Sequence, residues 1–248
     1  VQHNGSALKD MPEELKTAEV CLAAVTAPQY LDMPALRFVP EELKTPEMCM
    51  KATSIVGEPL QHVPDALKTE ELCLQAIDCD EEAMEFLPDR LKTTDFCLKV
   101  VKQKGWILDF VPKELKTPEI CLAAVMQSGD ALRFVPEALK TPELCLAAVK
   151  QNPFALRDVP AALKTAELCE AAVRQYGWAL KYVPEDMKTP ELCMEAVRQN
   201  DYALEDVPNA LRTLELLAVA EQSKLRRIEN QRSEGGSPAE RHDGGRLR

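Results

Sequence analysis

A period of 24 residues constrains the fold of this chain more than any other feature. Proline recurs at that interval from Pro40 to Pro208, and cysteine recurs at the same interval from Cys49 to Cys193. A basic residue followed by threonine marks nine units in all. One such unit cannot bury its own apolar face, whereas units stacked in a row bury their faces against one another. The sequence therefore predicts an array of about nine repeats.

The repeat at residues 135–158, VPEALKTPELCLAAVKQNPFALRD, predicts one helix of about three turns. Thr141 is a good N-cap, and Pro142 suits the first helical position, where its missing N–H is harmless. Gly or Pro follows the helix, here as Pro153, and we expect this residue to stop it. The apolar face of the helix consists of Leu144, Cys145, Ala148 and Val149.

A second segment of each repeat, such as Trp178 to Val183, predicts a brief second helix. It must end at Val183, because the residue before a proline avoids the helical region. The segment from Pro184 to Met187 then predicts a single 3-10 turn. The expected fold is all-α, an elongated α-solenoid in which each repeat has one three-turn helix and a short helix or 3-10 turn. A closed helical bundle is the less favoured alternative, because it would not require near-identical units with constant connections.

The two ends of the chain differ from the middle. Leu217 replaces the periodic cysteine, and Glu221 replaces a periodic valine on the face that a next repeat would cover. We therefore predict a repeat array over residues 1–230, with a C-terminal cap helix near 213–228 and a disordered tail at 231–248. Residues 4–12 look like the second half of a repeat, so we expect an array that began further upstream.

The strings LKTPELCLAAVKQN (139–152) and GWALKYVPEDMKT (177–189) carry a family resemblance. They resemble a bacterial repeat family catalogued as domain of unknown function 4116, and the resemblance covers residues 4 to about 220. It implies a solenoid of short helices and a bacterial source, and it brings no catalytic residue with it. The repeat also resembles, more weakly and in fold only, the leucine-rich-repeat variant, which shares the unit length. The stretch CMKATSIVGEPLQH (49–62) departs from the pattern, having lost the AAV core and the aromatic residue.

Eight periodic cysteines invite two interpretations. A metal or redox array is one, but the constant 24-residue spacing lacks the close ligand pairs of zinc and iron–sulfur sites. Burial as small apolar side chains is the other, and we favour it, since Leu217 can fill a core site but cannot ligate. Cys79 lies outside the period and is expected to be an exposed thiol. We predict no metal and no cofactor, and eight reduced thiols suit a cytosol, either bacterial or of a host cell.

The charged rows of the repeat predict a solvated face. One lysine per repeat precedes the capping threonine, and a row of glutamates, such as Glu143, runs beside it. A row of lysines could track an anionic partner. Interleaved opposite charges are more typical of a solvent-exposed surface with capping duties.

Two positions of the short second segment vary between repeats in a way that predicts a binding surface. The first position holds Glu58, Glu82, Trp106, Asp130, Phe154, Trp178 and Tyr202, and the second holds His62, Phe86, Phe110, Phe134, Asp158, Tyr182 and Asp206. These aromatic side chains could simply cover the core. Acidic residues replace them freely, however, which a buried position would not tolerate. We therefore predict a partly exposed protein-binding strip, strongest at Trp106, Phe110, Phe154, Trp178, Tyr182 and Tyr202.

The composition disfavours several classes of function. Residues 1–220 carry 23 basic and 36 acidic side chains, a net charge of −13, which opposes binding to nucleic acid, although helical repeats can read RNA one base at a time. The longest apolar run has seven residues, so we expect no membrane span. There is no signal-peptide pattern. No nucleophile–base set, phosphate loop or metal motif is present, so we expect no enzyme.

The sequence therefore predicts a non-catalytic scaffold that binds a protein partner. We expect a monomer in the cytoplasm of a bacterium, or in the cytosol of a host that receives it. The alternative is that the array is the recognition arm of a larger bacterial enzyme or host-directed effector, whose active domain lies outside this chain.

Overall fold

A computed structural model describes residues 5–27, 35–54 and 60–234, and these residues contain helices and turns but no strand. The all-α class and the repeat period are confirmed. The position Glu58 and most of the longer connection after the first helix lie outside the described residues. The nine α-helices of the described residues are α1 (Ala18–Thr26), α2 (Pro46–Thr53), α3 (Glu70–Cys79), α4 (Thr94–Val101), α5 (Pro118–Gln127), α6 (Pro142–Gln151), α7 (Ala166–Gln175), α8 (Pro190–Gln199) and α9 (Leu214–Glu234).

Each repeat adds two 3-10 helices to its α-helix. After α7 these are a first 3-10 helix, Gly177–Tyr182, and a second, Glu185–Met187. The predicted second helix is therefore a 3-10 helix, and it ends at Tyr182 because Val183 adopts an extended backbone (φ −78°, ψ 129°) before Pro184. The other first 3-10 helices are Gly5–Asp10, Ala35–Phe38, Leu60–His62, Glu81–Phe86, Gly105–Asp109, Gly129–Phe134, Pro153–Asp158 and Asp201–Asp206. The other second ones are Glu13–Leu15, Glu41–Leu43, Asp65–Leu67, Asp89–Leu91, Lys113–Leu115, Glu137–Leu139, Ala161–Leu163 and Asn209–Leu211.

The threonine of the repeat caps the α-helix, as predicted. The hydroxyl oxygen of Thr141 accepts a hydrogen bond of 3.3 Å from the backbone N–H of Leu144. Pro142 occupies the first turn, where a backbone N–H has no intrahelical acceptor, so the missing N–H of proline breaks no hydrogen bond. Each of the described α-helices begins with the same contact, which satisfies one of the free N–H groups at the helix start.

The glycine after the helix has a different role from the one the sequence predicts. Helix α7 ends at Gln175, and its C-cap, Tyr176, already has an extended backbone (φ −154°, ψ 113°). Gly177 follows and opens the first 3-10 helix. A Cβ at Gly177 would lie 2.5 Å from the carbonyl oxygen of Ala196 in α8. The glycine is therefore needed because the next repeat approaches its backbone, and it is not what stops the helix.

The chain forms two compact units, and both are built by the same stacking of repeats. The first comprises Val1–Gln127 with Phe134–Pro136, and the second comprises Ser128–Arg133 with Glu137–Arg248. In the second unit, α7 packs on both α6 and α8, and the first 3-10 helices pack on one another in a second row. Apolar residues of both rows are fully buried, namely Ala172 and Val173 on α7 and Ala179 and Leu180 on the first 3-10 helix. Small side chains in this core allow the rows to approach closely.

The periodic cysteines are buried in this core, as predicted, and Cys79 is exposed. Desolvation raises the pKa of Cys49 and of Cys73 to about 11 and raises the pKa of the other six buried thiols. Because the thiolate is the reactive form, a buried thiol with a raised pKa should be inert.

Alkylation should therefore separate one cysteine from the other eight. With iodoacetamide at roughly pH 8, we expect rapid modification of Cys79 and slow modification of the buried thiols, limited by unfolding. Intact mass spectrometry over time, with a denatured sample as the full-labelling reference, measures both phases. The Cys79→Ser variant is the control and should lose only the fast phase. Rapid labelling of several thiols in that variant would contradict the burial.

In six repeats the lysine is not part of a solvated face but contacts the next repeat, which corrects the sequence prediction. Lys188 is 9% exposed, and its Nζ donates a hydrogen bond of 2.7 Å to the backbone carbonyl of Asp206, at the end of the next first 3-10 helix. The carboxyl end of a helix favours a cation, which explains why a charge is tolerated there. The same contact joins Lys44 to His62, Lys68 to Phe86, Lys116 to Phe134, Lys140 to Asp158 and Lys164 to Tyr182.

The last described helix, α9, packs on α8. Leu216 is 2% exposed, but Leu217, at the periodic cysteine position, is 42% exposed, so the prediction that Leu217 fills a core site is wrong. The reason is that no described repeat follows to cover it. Helix α9 extends beyond the predicted cap at 213–228 and includes residues 231–234, which the sequence predicts as tail; residues 235–248 lie outside the described residues.

No helix in the described part of the chain combines the length and the hydropathy needed to cross a bilayer.

Candidate protein-binding surface

The first 3-10 helix of each repeat has a buried side and an outward side. In Gly177–Tyr182, Ala179 and Leu180 are fully buried, Trp178 is 47% exposed and Tyr182 is half-buried. A 3-10 helix has about three residues per turn, so positions three or four apart lie on similar sides. Burial of the Ala-Leu pair therefore fixes the outward direction of the aromatic residues beside it.

In the first compact unit, the predicted residues are Trp106 and Phe110. Trp106 is 45% exposed, and its indole Nε1–H donates a hydrogen bond of 3.0 Å to Oε1 of Glu81. Phe110 is half-buried. The hydrogen bond satisfies the polar end of the indole and leaves part of the ring open to solvent.

In the second compact unit, three aromatic rings form a cluster centred on Phe154. Its ring lies 6.3 Å from that of Tyr182 and 5.2 Å from that of Tyr176, centroid to centroid, and both pairs meet edge to face. Tyr176 is not among the sequence-predicted residues. It stands at the C-cap of α7, where two other repeats have asparagine, and that single aromatic replacement was the available signal.

A second pair of rings lies further along the same unit. The ring of Trp178 meets that of Tyr202 edge to face, with centroids 6.2 Å apart. The guanidinium carbon of Arg227, from α9, lies 4.5 Å from the centre of the Tyr202 ring. Arg227 also makes two hydrogen bonds of 2.9 Å to the carboxylate of Asp201. These hydrogen bonds hold the pKa of Asp201 below its usual range. Tyr202 is therefore held in place by contacts with two neighbours.

A cleft of about 500 Å³ opens beside this pair. Its acidic side chains are Glu205 and Asp206, and one cation, Lys181, also faces it. The arrangement suits a cationic group, because aromatic faces and carboxylates both attract positive charge. The complete lining consists of Trp178, Lys181, Tyr202, Ala203, Glu205 and Asp206.

The acidic residues at the variable positions are not all free. Arg157 joins two of them, with Nη2 3.1 Å from a carboxylate oxygen of Asp130 and Nε 3.1 Å from one of Asp158. Asp130 holds the first variable position of one repeat and Asp158 the second variable position of the next. Arginine thus bridges neighbouring repeats on the outward side of the 3-10 helices.

The structure places all six predicted residues on first 3-10 helices or directly after one. The side chains of Trp106, Trp178 and Tyr202 are 45–48% exposed. Those of Phe110, Phe154 and Tyr182 are less exposed but not fully buried, so the predicted partial exposure agrees with the structure. Phe154 contacts Tyr182, and Trp178 contacts Tyr202, whereas Trp106 and Phe110 belong to the other compact unit. The binding role of these residues stays a prediction.

Among the described residues, no group of three or more His, Cys, Asp or Glu side chains is placed to hold a metal ion.

Comparison with known proteins identifies one family. The model of the family described as domain of unknown function (DUF4116) matches residues 69–116, 117–164 and 166–212, together more than half of the chain. Each match spans about two of the 24-residue repeats. No curated protein matches the chain. No solved structure matches it either.

Proposed function

We propose that this chain, which belongs to the DUF4116 family, is a non-catalytic scaffold that binds another protein through the aromatic residues of its first 3-10 helices. The single observation that carries the proposal is the exposure of Trp178 and Tyr202 beside a cleft. Both rings are almost half exposed, although each is large and apolar. Tryptophan and tyrosine are enriched among the residues that dominate binding energy at protein interfaces.

The rings are also held in position before a partner arrives. Edge-to-face contact with Trp178 and stacking of Arg227 restrict Tyr202, while the Glu81 carboxylate restricts Trp106. A preorganised side chain loses less rotamer entropy on binding, so more of its contact energy is retained as affinity. Tandem repeats present such residues at regular intervals on a packed core.

The charge of the array favours a basic partner surface. Residues 1–220 carry a net charge of −13, which speeds encounters with positively charged proteins and disfavours nucleic acid. Nine unpaired cysteines, eight of them buried, are consistent with a reducing compartment, so we place the scaffold in a cytosol. A monomer with a single type of protein partner is the simplest form of the proposal.

Substitution of the aromatic pair tests the proposal. Proteins captured from a lysate by the wild-type chain are identified, and each is purified and titrated calorimetrically against Trp178→Ala and Tyr202→Ala. We expect each variant to lose about 2 kcal/mol or more of binding free energy, roughly 30-fold in affinity. Helicity and melting temperature should change little, because both rings are half outside the core.

The control is Leu122→Ala. Leu122 is 46% exposed but lies on α5 and not on a first 3-10 helix. Its substitution should leave affinity within about twofold. If both aromatic variants bound every purified partner as the wild type does, the proposed surface would be wrong.

A further inference from the structure

Two repeats before the cleft residues Trp178, Glu205 and Asp206, an arginine joins the equivalent positions. The equivalent positions lie 48 residues, or two repeats, earlier in the chain. They hold Asp130 in place of Trp178, Arg157 in place of Glu205 and Asp158 in place of Asp206. In the earlier set, the Arg157 guanidinium lies within 3.1 Å of both flanking carboxylates. The repeat architecture therefore shows which chemical group fits between these two positions.

The later set lacks that arginine. Glu205 occupies the position that Arg157 occupies in the earlier repeat. The cleft therefore has two carboxylates and an indole ring around an open volume of about 500 Å³. Within the described part of the chain, neither carboxylate has a hydrogen bond or an ion pair. Lys181 is the one cation in the lining, which leaves a net charge of −1 on these side chains. An anion or a purely apolar group would meet uncompensated negative charge there.

The neighbouring contact shows that one ring of the cleft, that of Tyr202, accepts a guanidinium. Arg227 already stacks on Tyr202 at 4.5 Å while pairing with Asp201 through two hydrogen bonds. A planar guanidinium can stack on an aromatic ring and bind carboxylates in its own plane, which an ammonium cannot do. The same combination of ring and carboxylate is present in the cleft, on Trp178, Glu205 and Asp206.

We propose that this cleft binds an arginine side chain of the partner protein, whose guanidinium lies against Trp178 and pairs with Glu205 and Asp206. The inference rests on the proposed scaffold function and names the chemistry of its partner. The bound arginine supplies from another chain the contact that Arg157 makes within this one.

The test uses the full chain and the blocked tripeptide acetyl-Gly-Arg-Gly-amide. The indole N–H resonances of Trp178 and Trp106 are followed by NMR during the titration. We expect a saturable shift at Trp178 with little change at Trp106, which lies in the other compact unit. The citrulline tripeptide has nearly the same shape without the charge and should bind at least about tenfold more weakly. The lysine tripeptide should bind several-fold more weakly.

Two substitutions locate the binding. Glu205→Arg restores the residue found at position 157 and should weaken the arginine tripeptide by at least about tenfold, because a charge is reversed and the cleft is filled. Glu205→Gln removes the charge with little change of shape and should give a smaller loss in the same direction. The matched control, Glu85→Arg, changes net charge equally at the equivalent position of a repeat in the first unit, and should leave affinity at Trp178 unchanged.

Four results would overturn the inference. Equal binding of the citrulline and arginine tripeptides would show that charge is not recognised. Retention of binding in both Glu205 variants would place the site elsewhere. Binding that is seen only after Arg241, Arg246 and Arg248 are replaced by glutamine would identify the chain's own end as the occupant in place of a second protein. The arginine tripeptide could also fail to bind while Trp178→Ala still abolishes binding of a purified partner. That result would refute the arginine site alone and leave the scaffold proposal standing.

Discussion

Lys188→Met is expected to lower the free energy of unfolding of the second compact unit by about 1.5–3 kcal/mol, the usual loss for a hydrogen bond from a charged donor. Methionine keeps an apolar stem of similar length but cannot donate to the carbonyl of Asp206. That carbonyl ends the 3-10 helix that carries Tyr202, so the loss should also loosen the edge of the cleft. The loss is large because Lys188 is buried and water cannot easily replace its ammonium.

Urea denaturation monitored by tryptophan fluorescence measures this effect. Each compact unit contains one tryptophan, so Trp106→Phe leaves Trp178 as the reporter of the second unit. The matched control is Lys92→Met, read from Trp106 in a Trp178→Phe background. Among the described contacts, Lys92 pairs only with Asp89 of its own 3-10 helix and has none to the next repeat. It should change stability by less than about 0.5 kcal/mol. Equal losses at both lysines would contradict a special role for the contact between repeats.

Gly177→Ala is expected to destabilise the same unit by about 1–3 kcal/mol, in the range typical of an overpacked core. The added Cβ would lie 2.5 Å from the carbonyl oxygen of Ala196, and that oxygen belongs to the backbone of α8, so it cannot rotate away. The 3-10 helix must therefore move away from the next repeat, and Trp178 moves with it. Gly177→Val should cost more than Gly177→Ala, because it adds further atoms at the same place.

The control for this series is Pro153→Ala. Pro153 occupies the equivalent position one repeat earlier and already carries a Cβ, so its replacement by alanine adds no atom at that position. This substitution should change stability by less than about 1 kcal/mol, mainly through the unfolded chain. Thermal and urea denaturation report both variants. A Gly177→Ala variant as stable as the wild type would show that the α8 backbone can move away from the added Cβ with no loss of unfolding free energy.

Much of the local structure could be predicted from the sequence, because it depends on neighbouring residues. The capping role of Thr141, the first-turn position of Pro142 and the extended conformation of Val183 each follow from contacts within a few residues. The glycine role could not be predicted in this way. Gly177 has the local signature of a helix stop, and only the approach of α8 reveals that its missing Cβ matters between repeats.

The candidate site was predicted in part for the same reason. The two variable positions mark the outward side of the first 3-10 helices, since acidic residues there exclude a buried role. Tyr176 was missed because it contacts Phe154 from the helix cap of the next repeat. The cleft was missed because its lining comes from two repeats, and the pairing of Arg157 with Asp130 spans 27 residues.

By itself, the sequence determined the period, the helical class, the caps and the buried cysteines, because each depends on a local pattern that recurs in every repeat. The tertiary structure alone decided that the lysine of six repeats donates a hydrogen bond to the next repeat, that Arg157 bridges two repeats and that Trp178 and Glu205 share a cleft. These features depend on the register between neighbouring repeats, where side chains 18 to 27 residues apart meet. Local propensity carries no information about that register, since it is set by how closely the packed backbones approach.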